Sequence, residues 1–409
     1  MNKIILISKD VLRADYLPVY GNKYWKTPNI DHLAEKGTVF RKHYTAAPST
    51  AMAVTSMFTG KYSFETNRKK YSEVEQYNDG DTLFDEYEKS GYKTHVIWPF
   101  EWRERAWRYS KVFHNNTKIM YENNFSENIK LYSKRSIKPN ERLVQETINN
   151  IFNKILSIYN CNDKLFIWVH LPHVIKGRMG YGSDIDVFDT FIGMVRSLFN
   201  DNSIYITADH GHLNIEKGIP VYGFHVYEGA IKIPLITPRI DNYTKINFPT
   251  SNVQLKDIIL RSKIERKDYI FSDSQYYMQE NRRLAVIKEN YKYIYNKKDG
   301  AEELYDLKFD PDENVNLLIE KFYDRNRMQY YKMDEIYYYP YWNNIELIYH
   351  ELKQQKDRVW KTGNIVIQKL YQINRIRKQW KGFIKNIYNK HRIIDGLYGS
   401  RVKNKIYKP

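Results

Sequence analysis

The chain reads as an α/β protein built on a mostly parallel sheet with helices on both faces. Three observations predict this. Short apolar runs of strand length alternate with amphipathic helical stretches. The apolar runs end in polar or titratable residues. The alternation stops near residue 240, where a different pattern begins. Strands that alternate with helices favour parallel pairing with both faces covered. In such sheets ligands gather at the carboxyl ends of the strands.

In chain order, "KIILIS" is a short buried strand that stops at the charged pair Lys9 and Asp10. "TPNIDHLAEKG" follows as a helix, with Pro28 in its first turn and Gly37 as its stop. "APSTAMAVTSMFTG", from Ala47 to Gly60, is uncharged and sets hydroxyls among small residues. Such a stretch can pack a turn against a helix and present one hydroxyl, at the helix N-terminus, to an anion. "TLFDEYEKSGYKTHVIW" reads as helix, Gly91 stop, then strand. "LVQETINNIFNKILSIY" is strongly periodic and helical. "KLFIWVHL" is a further buried strand, "VFDTFIGMVRSLF" another helix, and "SIYITADHG" a buried strand ending in charge.

From about residue 240 the pattern changes. "RRLAVIKENYKYIYNKKDG" alternates like a hairpin of exposed strands with "KKDG" as its turn. The expected organisation is an α/β domain over 1–244, a small α+β subdomain over 245–335, and a Tyr-rich connector with a basic helical tail over 336–409. The tail carries the charge. From Glu351 to Pro409 there are 16 Lys and Arg against three acids, which supplies +13 of the formal +17. Ile373, Ile376, Trp380, Phe383, Ile384 and Ile387 recur at steps of three and four, with cations between them, as in an amphipathic helix. Such a helix packs on its own domain, lies on an anionic membrane surface, or binds nucleic acid. Nucleic acid is the least favoured of the three.

The 409 residues, 42% hydrophobic and 15% aromatic, exclude a disordered chain. Cys161 is the only cysteine, so an intrachain disulfide is impossible and a reducing compartment fits; its expected role is a buried thiol. The apolar run Ile4 to Ile7 is too short for a signal peptide. No uninterrupted run of about 18 apolar residues predicts a membrane span. The expected location is cytoplasmic, with the tail able to hold the chain at the inner face of a membrane.

The chemistry-bearing residues sit at strand ends. Asp10 closes the first strand, "HLPH" holds His170 and His173, and "DHGH" holds Asp209, His210 and His212. "GFHVYE" adds His225. Carboxylate and imidazole converging on one crevice suit a divalent metal such as Zn²⁺ or Mn²⁺. An Asp after a strand also serves as a cap or turn residue, and a lone His as a satisfied core group. Residue types alone leave these readings open.

The order "LISKDVLRADYLPVYG…TPNIDHLAEKGTVF…APSTAMAVTSMFTG…HLPH…ITADHG…YEGAIKIPLITP…EELYDLKFDPDENVNLL" resembles the sulfatases and their relatives in the alkaline phosphatase superfamily, over roughly residues 3 to 320. The resemblance implies an alkaline-phosphatase-like fold and a nucleophile ten residues before Gly60, which is Thr50. Many sulfatases have Cys or Ser there, matured to formylglycine and followed by Pro and Arg. This chain has Met52 and Val54 at the Pro and Arg positions. It is more similar to the Thr-using branches, such as phosphoethanolamine and phosphoglycerol transferases. Ser49 is the fallback nucleophile.

The resemblance further implies one divalent ion (Zn, Mn, Ca or Mg) held by Asp10, Thr50, Asp209 and His210. Val11 stands where many sulfatases carry a second Asp. By the same likeness His173 and His225 hold the anion's other oxygens and protonate the leaving group. His170 and Arg13 are further substrate-binding candidates, Asp15 is structural, and His43 and His212 have no assigned role. The Lys and His of the family's "GKWHLG" are absent from "VIWPFEWRER", where Arg103 or Arg105 can stand in.

The implied activity is metal-dependent hydrolysis or transfer of phosphate or sulfate esters through a covalent Thr intermediate. Its substrate is an anionic ester, lipid-linked or polysaccharide. The alternatives are a sulfuric ester hydrolase proper, or an inactive module of this fold bound to a membrane or nucleic acid.

Overall fold

Strand β1 (Lys3–Lys9) explains the layering. Successive side chains of a strand point to opposite faces, and β1 sends Ile5 and Ile7 into one core and Ile4 and Leu6 into another. A run that is apolar at every position is therefore buried on both sides. The computed structural model describes residues 2–65, 80–98, 112–113, 115–121, 141–159, 163–173, 185–214, 216–219, 222–274, 282–318, 321–324, 329–332 and 342–367. Cys161, Arg103, Arg105 and the stretch from Ile373 to Ile387 lie outside the described residues.

Beside β1, the large sheet is formed by β2 (Thr38–Phe40), β4 (Lys93–Trp98), β5 (Lys118–Tyr121), β6 (Leu165–Leu171), β7 (Ile204–Ala208), β8 (Leu235–Thr237) and β9 (Lys245–Ile246); β3 (His43–Tyr44) pairs instead with β10 (Thr250–Ser251). The order across the sheet is β5-β4-β6-β1-β7-β8-β2-β9. The five strands from β5 to β7 are mutually parallel, and β8 runs antiparallel to both β7 and β2. The architecture is the mostly parallel α/β sheet read from the sequence.

Helices cover both faces. On the Ile5 and Ile7 face lie α1 (Pro28–Lys36), α4 (Glu141–Ile158) and α5 (Ile185–Arg196), through residues such as Leu33, Ile151 and Phe191. On the other face lie α2 (Thr50–Thr59), α3 (Leu83–Lys89) and α7 (Leu255–Arg261), through Phe58, Phe84 and Ile258. The four-residue helix α6 (Glu228–Ile231) belongs to a third cluster under the smaller sheet.

That smaller sheet is antiparallel, in the order β11 (Ile270–Asp273), β12 (Arg283–Lys288), β13 (Tyr291–Asn296) and β14 (Glu302–Asp306). The expected hairpin needs correcting in two respects. Its turn is Glu289 and Asn290, with Glu289 at φ 55°, and "KKDG" instead carries β13 into β14. Its strands are also mostly buried. One face packs on the α6 cluster through Ala285 and Ile294. The other is covered by α8 (Trp342–Ile367) through Leu352 against Val286, Tyr293 and Leu304. Alternation produced by two different covers looks, in the sequence, like one buried and one exposed face.

The strand pair β15 (Lys321–Asp324) and β16 (Gln329–Lys332) follows. The change of pattern near 244 is not a change of sheet. β9 still pairs with β2, α7 still packs on the large sheet, and the antiparallel sheet begins at Ile270.

Candidate active site

Three central strands, β6, β1 and β7, lie side by side and parallel, so their carboxyl ends share one edge. That places Asp10, His173 and Asp209 at neighbouring strand ends. Asp10, Asp209 and His210 are buried, and their ligating atoms lie within 4.8 Å of one another. Gly211 follows because a Cβ there would sit 2.1 Å from Gly229 O. Thr50 begins α2, and its Oγ1 is 3.2 Å from His210 Nε2. The residue before it, Ser49, is an extended N-cap whose hydroxyl makes no cap bond.

The donor set fits a cation. His210 Nδ1 is 2.8 Å from Gly211 O, which can only accept, so Nδ1 carries hydrogen and Nε2 is the nitrogen left to offer a lone pair. That nitrogen lies 3.4 Å from Asp209 Oδ2 and 4.0 Å from Asp10 Oδ1. Both of these oxygens are buried with no hydrogen-bond partner among the described residues. Two carboxylate oxygens and a lone pair facing each other in a buried space are costly unless a cation lies among them. Asp209 Oδ1 is differently served, by the backbone N–H of Val11 at 3.1 Å and of His210 at 2.7 Å. Val11 reaches it at φ 60°, a strained conformation for a β-branched residue.

The remaining candidates are placed around this cluster. His170 is fully buried, and its Nε2 is 3.9 Å from Asp209 Oδ2. His173 follows β6 half-buried. Burial, and then the charge of His173, push the neighbouring His212 down to about 4. His225 lies in the loop whose Tyr222 ring rests on His210, centroids 4.6 Å apart. Burial, then Arg283, push His225 down to about 4, and its ring stacks on Tyr227.

Arg13 is tied down elsewhere. Its Nε and Nη2 donate to Asp15 at 2.8 and 2.6 Å, and Nη1 donates to His212 O and Glu216. Burial opposes the charge, but the two carboxylates more than offset it and hold the guanidinium above its ordinary value. Asp15 is thus an ion-pair partner, in line with a structural role. His43 is buried against Thr250, remote in kind from the cluster.

The sulfatase family model matches residues 2–174, the segment that supplies β1, the Thr50 turn and the "HLPH" strand end. The first part of the chain, from β1 to the end of β6, thus carries the sulfatase family's pattern. An arylsulfatase of Clostridium perfringens is 37% identical over 94 residues, 23% of this chain; the match spans only 20% of that relative's length. Among solved structures, a putative sulfatase from Bacteroides thetaiotaomicron superposes with a TM-score of 0.64 at 14% identity, covering 90% of this chain and 94% of that one. The phosphonate monoester hydrolase of Agrobacterium radiobacter gives 0.58 at 14% identity, covering 86% and 95%. These likenesses show that the chain shares the fold of those structures well past the matched segment.

Sequence reasoning passed over several neighbours of the site. Ser8, Trp168 and Trp98 surround His170, and buried Lys9 donates to Pro172 O at 3.2 Å. Ser8, Trp168 and Trp98 hide inside strands that read as apolar filling, and Lys9 reads only as the charge that ends one. One signal was present: Ser8 interrupts "IILIS", and only the strand register shows that it faces His170.

Proposed function

We propose that this chain cleaves or transfers phosphate or sulfate esters through a covalent Thr50 intermediate, with phosphoesters preferred. The observation that carries the reading is the Thr50 hydroxyl, set at the start of a ten-residue helix and 3.2 Å from His210 Nε2, beside two carboxylate oxygens without partners. The catalytic domain is the large-sheet unit, which continues past residue 244 through α7, and the antiparallel sheet from Ile270 forms the small subdomain.

Asp10, Asp209, His210 and Thr50 would hold one divalent ion (Zn, Mn, Ca or Mg), which supplies positive charge that lowers the hydroxyl's pKa and stabilises the anion. The chain's own residues do the rest. Thr50 Oγ1 gives up its proton to solvent water and forms the new bond to phosphorus or sulfur, while the bond from that atom to the ester oxygen breaks. The α2 N-terminus favours the negative charge gathered there. His173 gives the departing oxygen a proton, and His225, which burial holds below its ordinary value, can do so only once the ester's negative charge raises it. Water, or an acceptor alcohol, then attacks the same phosphorus or sulfur and returns Thr50 as a hydroxyl. Threonine cannot become formylglycine, and this tilts the substrate towards phosphorus. The substrate is an anionic ester, lipid-linked or polysaccharide. The tail would hold the chain at the cytoplasmic face of an anionic membrane.

The test is Thr50→Ala assayed on chromogenic phosphodiesters, phosphomonoesters and sulfate esters. We expect loss of at least about a hundredfold in kcat with the fold unchanged. Wild-type rates in Thr50→Ala, or a sulfate-ester rate above every phosphoester rate, would refute the corresponding part of the reading.

A further inference from the structure

His170 and His210 both turn Nε2 towards Asp209, at 3.9 and 3.4 Å, yet their other nitrogens meet opposite partners. His210 Nδ1 meets a carbonyl. His170 Nδ1 meets Ser8 Oγ at 2.8 Å, and Ser8 Oγ also lies 2.8 Å from Trp168 Nε1. Ser8, Trp168 and His170 are all fully buried.

Hydrogen counting decides the tautomer. An indole N–H only donates, so Ser8 Oγ accepts from Trp168. Among the described residues, the hydrogen of Ser8 then has a single acceptor, His170 Nδ1. A neutral imidazole that accepts at Nδ1 carries its hydrogen on Nε2. Trp98 stacks on the ring at 4.6 Å and 12°, which fixes its plane. The strand register holds the relay in place, because Ser8 pairs with His170 across β1 and β6.

We propose that His170 is a positioning residue, held by the Trp168–Ser8 relay as the Nε2–H tautomer, which offers an N–H towards Asp209 Oδ2 and is unavailable as a ligand for a second metal ion. The two histidines then have complementary parts. His210 presents a lone pair and His170 a hydrogen, on either side of one carboxylate. This rests on the reading of Asp209 as a metal ligand. It adds what holds that ligand's surroundings and why His170 turns no lone pair towards an ion there. Outer groups of this kind typically change metal affinity by about 10–100-fold.

The experiment uses the full chain labelled with ¹⁵N-histidine. Long-range proton–nitrogen spectra read each ring's tautomer, with the His170 signals assigned from His170→Gln, and Zn²⁺ is the probe. The expected result is hydrogen on His170 Nε2 before and after Zn²⁺, with binding of one Zn²⁺ per chain. Zn²⁺ affinity by chelator competition should fall about 10–100-fold in Ser8→Ala and His170→Ala. His170→Gln, whose amide N–H stands near the Nε2 position, should keep it. If Ser8→Ala does not fold, the wild-type spectrum and the His170→Gln and His170→Ala pair decide.

A chain that binds one Zn²⁺ but carries hydrogen on His170 Nδ1 overturns this proposal alone. So does equal weakness of the Gln and Ala variants. A chain with the expected tautomer that binds no Zn²⁺ overturns the metal reading and the positioning role together.

Discussion

His43 shows how much a single buried side chain can set. It is fully buried, it bonds Thr250 Oγ1 at 2.9 Å, and burial alone pushes its imidazole from 6.5 down to about 3. The unfolded chain therefore binds a proton before the folded one does. The contribution to stability is complete above about pH 6.5 and is lost as pH falls from there towards 3. Each unit of that window is worth about 1.4 kcal/mol. Denaturant melts between pH 7 and 4 should show this slope, and His43→Asn should flatten it. An unchanged slope in the variant would assign the acid sensitivity to other groups, such as His225.

At the scale of elements, α1 shows local signals completed by tertiary contacts. Pro28 opens it and Gly37 follows its last turn, as the sequence suggests. The caps work differently from the usual local ones. Thr27 makes no side-chain cap bond, and buried Asp189 of α5 accepts from the N–H groups of Asn29 and Ile30 at 3.0 and 2.9 Å. Gly37 is not left-handed, since its φ is −99°. It is glycine because a Cβ would lie 2.0 Å from Thr237 O on β8. Gly37→Ala should therefore destabilise the chain by about 1–3 kcal/mol, as overpacking does. An unchanged urea midpoint would show that β8 moves aside freely. The α8 helix makes the same point. Its Glu351 accepts from Lys288, and Lys356 lies over the Tyr295 ring at 4.3 Å, so the start of the basic segment is docked on the small sheet.

Across the whole molecule, charge and fold separate. No helix among the described residues is long and apolar enough to cross a membrane. Beyond α8, residues 368–409 hold 12 Lys and Arg against Asp395. None of the proposed ligands and none of the α8 contacts to the small sheet described above lies among them. The truncated chain should keep its melting temperature and its rate on a small soluble ester. It should lose salt-sensitive sedimentation with anionic liposomes, since such attraction is screened within about 8 Å at physiological salt. Equal sedimentation of both proteins would mean that the tail does not recruit the chain to lipid.

The α/β class, the strand ends bearing Asp10 and Asp209, and the turn bearing Thr50 were legible in the residues themselves. Period, punctuation and motif order are local properties of a chain. The convergence of these residues was expected from the strand-end rule and the resemblance, but which strands lie side by side was not legible, because β1 and β7 are adjacent only through a crossover order that no local pattern encodes. Nor were the engagement of Arg13 by Asp15 and Glu216 or the opposite tautomers of His170 and His210. A hydrogen's position depends on which donor stands across the strand, and Ser8 meets His170, 162 positions along the chain, only where β1 and β6 pair. Residue chemistry is written along the chain, while its protonation and its partners are set by packing.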